Sequence, residues 1–342
     1  MQQEHFTFSS KNYTGYFNVD FSYVEKLVSK DQSVIITDKN LAAHYSHKFL
    51  TWRTIIIEPG EKNKQQATAD HIITELIKLK ADRDTIIIAI GGGVITDIAA
   101  YVASVYMRGI KFALVPTTIL AMVDACIGGK NGIDVGIYKN LVGTIRHPEF
   151  LLYDYGFLKS LPQSEWINGF AEIIKHARIK DKMLFEWLES QSLDSLQSSV
   201  HITDELIRRN VDIKYNVVIN DEFEKGERRL LNFGHTLGHA VENLYKLSHG
   251  HAVAIGMVAA CTISEEVNKF PAADKLRIVS LLKKYNLPVQ LKFDKEKIWE
   301  VLLMDKKKSG SKINFVLLNS IGDAIVQPIS VKQLEELFAV CL

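Results

Sequence analysis

The stretch TIIIAIGGGVITDIAAYVASVYMRG, Thr85 to Gly109, changes period partway along. Thr85 to Ile90 is a short, nearly continuous apolar run of β-branched residues, the pattern of a strand buried on both faces. After Gly91, Gly92 and Gly93 the apolar positions recur at helical spacing, so a helix is expected to begin near Val94. Strand, glycine turn and helix in that order form the first half of a βαβ unit. Glycines at the turn permit a tight reversal, and they let an anion approach the N–H groups at a helix start, where the dipole favours negative charge. The spacing is neither the dinucleotide fingerprint nor a Walker loop, so a ligand-free turn stays open as the plain alternative.

Working outward, further β-branched runs occur at 33–37 (SVIIT), 53–58 (RTIIIE), 112–116 (FALVP) and 150–154 (FLLYD). Between them lie helical patterns, as in TADHIITELIKL, where Ile72, Ile73, Leu76, Ile77 and Leu79 form a stripe. Apolar strands alternating with helices predict a Rossmann-like parallel sheet covered on both faces. From Pro162 the chain becomes mainly helical, with patterns at 163–189, 202–218, 235–246, 251–268 and 272–285 and one late strand, KINFVLL, at 312–318. The expected class is therefore α/β plus α, with an α/β domain at 1–157 and a mainly helical domain at 158–342. Ligands of open α/β sheets bind beyond the C-terminal strand ends, so the cleft between the domains is where a site is expected.

Composition narrows the function classes. The 342 residues include 47% hydrophobic ones, enough for substantial cores, and the formal charge is only +1. Lys and Arg are scattered, so neither a nucleic-acid stripe nor a basic membrane face is indicated. Cys126, Cys261 and Cys341 are too few and too far apart for a disulfide framework. The N-terminal stretch lacks a basic segment followed by an apolar one, and no run of 18 apolar residues occurs, so a soluble cytoplasmic protein is expected.

Several groups carry polar chemistry. Asp38 and Asn40 follow the strand VIIT, where they suit ribose hydroxyls or a plain turn. PTTILAMVDACIGGKNGIDVGIYKN, Pro116 to Asn140, sets Thr117, Thr118, Asp124, Lys130, Lys139 and Asn140 among glycines without an amphipathic repeat. That suggests backbone held near a ligand. Its lysines, with Arg108, suit a phosphate and a carboxylate. Glu172 and Lys175 share a helix face, as a surface ion pair or with Glu172 as a metal ligand.

Four of the eleven histidines fall in NFGHTLGHAVENLYKLSHGH, Asn232 to His251. His235 and His239 stand one helical turn apart, so spacing alone favours that pair, with one later group, as metal ligands; capping or core histidines are the alternative. Thr236 and Leu237 rule out the HExxH pattern.

The ordered series GGGVITD, YMRG, PTTILAMVDACIGGK, YKN, LPQSEW, GFAEIIKH, DEFEKGERRLLNFGHTLGH and HG strongly resembles the 3-dehydroquinate synthase family, from about residue 33 to 322. The wider sugar-phosphate cyclases share part of it. The resemblance implies a zinc or cobalt ion held by Glu172, His235 and His249, with His239 facing the substrate. It implies NAD+ lying across Gly91, Gly92, Gly93 and Val94, with Asp97 near, Asp38 and Asn40 at the adenosine ribose, and Glu61 and Lys64 as a further pair. Thr117, Thr118, Ser160, Leu161 and Glu165 would line the rest, with Lys130 and Lys139 also within reach of the cofactor.

Substrate contacts implied in the same way are Asp124, Lys130, Lys139, Asn140 and Lys175, then Lys214, Arg228, Asn232 and His239. Arg108 would reach the phosphate in a neighbouring subunit, implying a homodimer, and Lys306 or Lys307 would complete the phosphate clamp. The implied reaction turns the anionic sugar phosphate 3-deoxy-D-arabino-heptulosonate 7-phosphate into 3-dehydroquinate and phosphate, a step of the shikimate route to aromatic amino acids. No nucleic-acid or membrane partner is implied.

Some positions depart from the family pattern. Thr96 and Ala100 replace glycines, Met122, Ala125 and Cys126 replace Gln, Ser and Ser around Asp124, and Asp134 stands near a common Asn. Tyr138 replaces a glycine, and His251 replaces a glutamate. None removes an implied metal ligand or charged substrate contact. Another sugar-phosphate cyclase is the nearest alternative, and a nucleotide-binding regulatory protein without turnover is an alternative of a different class.

Overall fold

The computed structural model describes residues 2–136, 138–292, 294–306 and 312–341. The chain forms two compact units, Met1–Trp166 and Ile167–Leu342. The division falls inside the helix Gln163–Lys180, past the 157/158 suggested by the change in composition.

The first unit is built on strands β1 (Gln2–Thr7), β2 (Asn12–Phe17), β3 (Ser33–Asp38), β4 (Arg53–Ile57), β5 (Ile86–Gly91), β6 (Lys111–Pro116) and β9 (Phe150–Tyr153), with a separate hairpin of β7 (Lys130–Val135) and β8 (Tyr138–Ile145). The sheet order is β1-β2-β9-β6-β5-β3-β4, and every pairing except the antiparallel β1–β2 is parallel. Val34, Ile35, Ile36, Ile87, Ile88 and Ile90 are all 0% exposed. Each such side chain stabilises the sheet by roughly 1.5–3 kcal/mol relative to exposure. The Rossmann-like parallel-sheet expectation is thus met. From β3 the chain leads to β4 on one side, while from β5 it leads to β6 on the other. The C-terminal ends of β3 and β5 therefore flank a switch point, the usual ligand position in an open α/β sheet.

The second unit is mainly helical, as expected, but its elements differ in detail. The helix expected over 163–189 is two, Gln163–Lys180 and Lys182–Ser190, because the Asp181 side chain accepts from Leu184 N–H at 2.8 Å and starts a new helix. The helices Val200–Asn220, His235–Tyr245, His249–Asn268 and Ala272–Lys284 follow. The fourth expected helix starts at His249 instead of His251. The late strand is half of a hairpin, β10 (Lys312–Ser320) and β11 (Asp323–Ser330), turning at Gly322 with φ +90°. Among the described residues three further helices, Leu193–Ser198, Lys295–Lys306 and Val331–Cys341, were not anticipated. Among the described residues no helix is long and apolar enough to cross a membrane.

Candidate active site

In the first unit the glycine turn joins β5 to the helix Gly93–Val105, with Gly92 at the N-cap. None of the three glycines has positive φ, so close approach is what requires Gly91 and Gly92. A Cβ on Gly91 would lie 2.4 Å from Ile95 Cβ, and one on Gly92 would lie 3.0 Å from Thr118 Cγ2. Gly91 O also accepts from Thr117 N–H at 3.0 Å, which sets Thr117 and Thr118 beside the turn at the end of β6. Thr96 Oγ1 bonds back to the carbonyls of Gly92 and Gly93, so the departure from glycine is absorbed within the helix's first turn.

Asp38 ends β3 on the same sheet edge and caps the next helix by accepting from Leu41 N–H at 3.0 Å. Burial pushes its carboxyl up, against the pull of the Leu41 and Asn40 N–H groups. Asn40 itself is exposed. Ser160 Oγ accepts from the Tyr45 hydroxyl at 2.9 Å, Leu161 is half-buried, and Glu165 is exposed.

A second polar group surrounds Lys64, which is 5% exposed. Its ammonium is salt-bridged to Asp97 and donates to Asn140 Oδ1 at 2.6 Å, while Lys139 pairs with Glu61 at 3.4 Å. Burial works against the Lys64 charge, but Asp97 and Glu61 outweigh it and raise its pKa. Five residues expected at cofactor or substrate therefore gather within one unit. Asn140 has φ +52°, and the consecutive residues Met107 and Arg108 have φ +48° and +69°. Such left-handed backbone in non-glycine residues costs of order 1–3 kcal/mol and clusters at functional positions. Lys130 is exposed at the start of β7, and Asp124 is half-buried in the π-helical turn Ala121–Ala125.

The second unit holds the histidines. Glu172, fully buried on the Gln163–Lys180 helix, forms an ion pair with Lys175, itself 2% exposed. His249 Nε2 lies 3.2 Å and His235 Nε2 3.5 Å from Glu172 Oε1. One ligand atom from each of Glu172, His235 and His249 falls within 4.8 Å of the others. His239, despite its one-turn spacing, stands outside this group; its ring is 5.2 Å from that of His235 and nearly perpendicular to it. Spacing alone favours His235 with His239, whereas in the structure the helix His249–Asn268 brings a third imidazole within 3.2 Å of the carboxylate and His239 falls outside the group.

The far ring nitrogens are also engaged. His235 Nδ1 lies 3.2 Å from Phe233 O, and His249 Nδ1 lies 3.4 Å from Glu242 Oε2. Both rings thus turn Nε2 toward Glu172, the outer-shell arrangement that orients metal-binding imidazoles. In the metal-free site, burial drives His235 down to about 3, opposed by Glu172 and assisted by Lys175. Burial also opposes a charge on His249, but hydrogen bonds to Glu172 and Glu242 prevail and raise it to about 9. A carboxylate oxygen and two imidazole nitrogens form a donor set suited to zinc or cobalt, three protein ligands being the pattern that leaves a fourth position to water or substrate.

Close by in sequence, Asn232 Nδ2 donates to Glu224 Oε1 at 2.7 Å, and buried Arg228 donates to the Glu222 carbonyl. Lys214 is buried on Val200–Asn220, one turn beyond Asn210, whose Oδ1 lies 3.1 Å from His176 Nδ1. His251 is half-buried, and burial lowers its pKa. Of the pair expected at the phosphate, Lys306 closes the Lys295–Lys306 helix and Lys307 lies outside the described residues. Sequence reasoning did not single out Glu224, Glu242 or Asn168; their bonds to Asn232, His249 and Gly250 form only once the chain is folded, and Glu242, three residues before Tyr245 and four before Lys246, looks like any solvated helix charge.

Residues 54–168 match the family model described as 3-dehydroquinate synthase N-terminal, and residues 169–308 match 3-dehydroquinate synthase C-terminal. A 3-dehydroquinate synthase of Campylobacter concisus (strain 13826) is 38% identical over 321 residues, covering 91% of this chain and 92% of that protein. Among solved structures, 2-epi-5-epi-valiolone synthase from Streptomyces hygroscopicus subsp. jinggangensis 5008, with NAD+ and Zn2+ bound, is similar with a TM-score of 0.88 at 25% identity, covering 98% of each chain. A 2-deoxy-scyllo-inosose synthase complexed with carbaglucose-6-phosphate, NAD+ and Co2+ has a TM-score of 0.86 at 25% identity over 100% of both chains. Two matching family models and 38% identity to that relative over nine tenths of both chains stand beside the grouping of His235 and His249 around the buried Glu172: the chain belongs to the 3-dehydroquinate synthase family.

Proposed function

We infer that the chain is a metal- and NAD-dependent lyase and cyclase that converts 3-deoxy-D-arabino-heptulosonate 7-phosphate into 3-dehydroquinate and phosphate. The observation that carries the chemistry is the convergence of His235 Nε2 and His249 Nε2 on Oε1 of the buried Glu172. This donor set fits a zinc or cobalt ion, and the glycine turn at the β3/β5 switch point fits the pyrophosphate of NAD+.

When bound, the pair would supply reversible hydride transfer and Lewis-acid activation of the substrate hydroxyl being oxidised. The chain's residues do the rest. Asp38 and Asn40 would hold the ribose, and Glu61, Lys64 and Asp97 would fix the cofactor beside Gly91, Gly92, Gly93 and Val94, with Thr117, Thr118, Ser160, Leu161 and Glu165 completing its walls. Lys130, Lys139, Asn140, Lys175, Lys214 and Arg228 would bind the substrate's phosphate, carboxylate and hydroxyls and stabilise the enolate as phosphate departs. Asp124 and Asn232 would orient hydroxyls. His239 would face the substrate from the helix that carries His235, placed to move a proton at a ring oxygen. Arg108, held in left-handed backbone beside the exposed Met107, would reach a second subunit of a homodimer.

The test is direct. Protein reconstituted with zinc or cobalt is incubated with the heptulosonate phosphate and a catalytic amount of NAD+ while phosphate and carbocyclic product are followed. Stoichiometric release of both, without net NADH, is expected. Turnover of sedoheptulose 7-phosphate or glucose 6-phosphate instead would reassign the chain to another cyclase, and binding without turnover would make it a regulatory protein.

A further inference from the structure

We propose that Asn168 is a positioning residue that sets His249 against Glu172, so that the affinity of the metal site depends on a hydrogen bond made by neither ligand. The inference rests on the reading of Glu172, His235 and His249 as metal ligands.

His249 is the first residue of its helix, where backbone N–H groups have no partner within the helix and the end frays unless something holds it. The N-cap residue, Ser248, makes no side-chain capping bond. The cap comes instead from another helix, since Gly250 N–H donates to Asn168 Oδ1 at 2.6 Å. The backbones meet there as closely as they can: a Cβ on Gly250 would lie 2.2 Å from the Asn168 carbonyl oxygen. Asn168 precedes Glu172 by four residues on the Gln163–Lys180 helix and so lies on the same face, one turn away. One face of one helix therefore presents a ligand carboxylate and, a turn earlier, the acceptor that fixes the start of the helix bearing His249. Glu242 restrains the His249 ring at Nδ1, whereas Asn168 restrains the backbone from which the ring projects.

The experiment compares wild type, Asn168→Ala, Asn168→Asp and His249→Ala, using zinc affinity by chelator competition and the visible absorption of the cobalt-substituted protein. Asn168→Ala is expected to weaken zinc binding by about 10- to 100-fold, as loss of outer-shell partners does. It should also alter the cobalt bands, while the circular dichroism of the metal-free protein stays that of wild type. Asn168→Asp keeps the acceptor and should restore both readouts. Wild-type affinity and bands in Asn168→Ala would overturn the proposal. So would a defect in Asn168→Asp equal to that of alanine, or loss of helical signal in metal-free Asn168→Ala, because the role would then be one of shape or folding. If His249→Ala binds zinc as wild type does, the metal-site reading itself fails, a result distinct from failure of Asn168 alone.

Discussion

His235 and His239 share a helix face one turn apart, and only His235 turns a nitrogen into the carboxylate group. What separates them is the third dimension: Glu172 approaches from one helix and His249 from another, and the Phe233 carbonyl fixes the ring of His235. His235→Ala and His249→Ala are accordingly expected to lose bound metal and turnover together. His239→Ala should lose turnover by at least 100-fold, as removal of a positioned proton-transfer group does, with metal content near that of wild type. Metal analysis beside the phosphate-release assay checks this. Equal metal loss in all three variants would restore the one-turn pair as the binding unit.

At the scale of elements, two helices deliver His235 and His249, and small residues let them approach. A Cβ on Gly256 would lie 1.9 Å from Gly234 O and 2.8 Å from Gly238 N, the two atoms whose 2.9 Å hydrogen bond opens the His235–Tyr245 helix. Gly256→Ala should therefore push the helices apart, destabilise the protein by about 1–3 kcal/mol as overpacking does, and weaken metal binding as His235 moves. Unchanged thermal unfolding and zinc affinity would refute the close-approach argument. Legibility in the sequence followed the same logic. Runs such as Ile86 to Ile90 announced their strands because burial on both faces demands continuous apolar character. The edge strand β1 was silent because only Phe6 is buried in it, and β11 was silent because Pro328 and Gln327 interrupt its pattern. Individual ligands were visible as residue types, while the choice between His239 and His249 depended on helix packing that spacing does not encode.

For the whole molecule, the two ligand histidines pull stability in opposite directions when no metal is present. His249, raised to about 9 by Glu172 and Glu242 against the effect of burial, stabilises fully below the unfolded value near 6.5 and loses that contribution as pH climbs through about 9. His235, held down at about 3 chiefly by burial, stabilises by staying neutral above about 6.5 and loses that contribution as pH falls toward about 3. The metal-free protein should therefore have its highest unfolding temperature near neutrality. A metal must displace the His249 proton at neutral pH, so binding releases a proton and tightens as pH rises. The increment that zinc adds to the unfolding temperature is expected to grow from about pH 6.5 to about pH 9, across the window set by the raised value of His249. Thermal unfolding with and without zinc across that range measures the increment, and calorimetric titration in buffers of different ionisation enthalpy counts the released proton. An increment independent of pH, with no proton released, would mean that His249 enters the site already neutral and that Glu172 and Glu242 do not hold its charge.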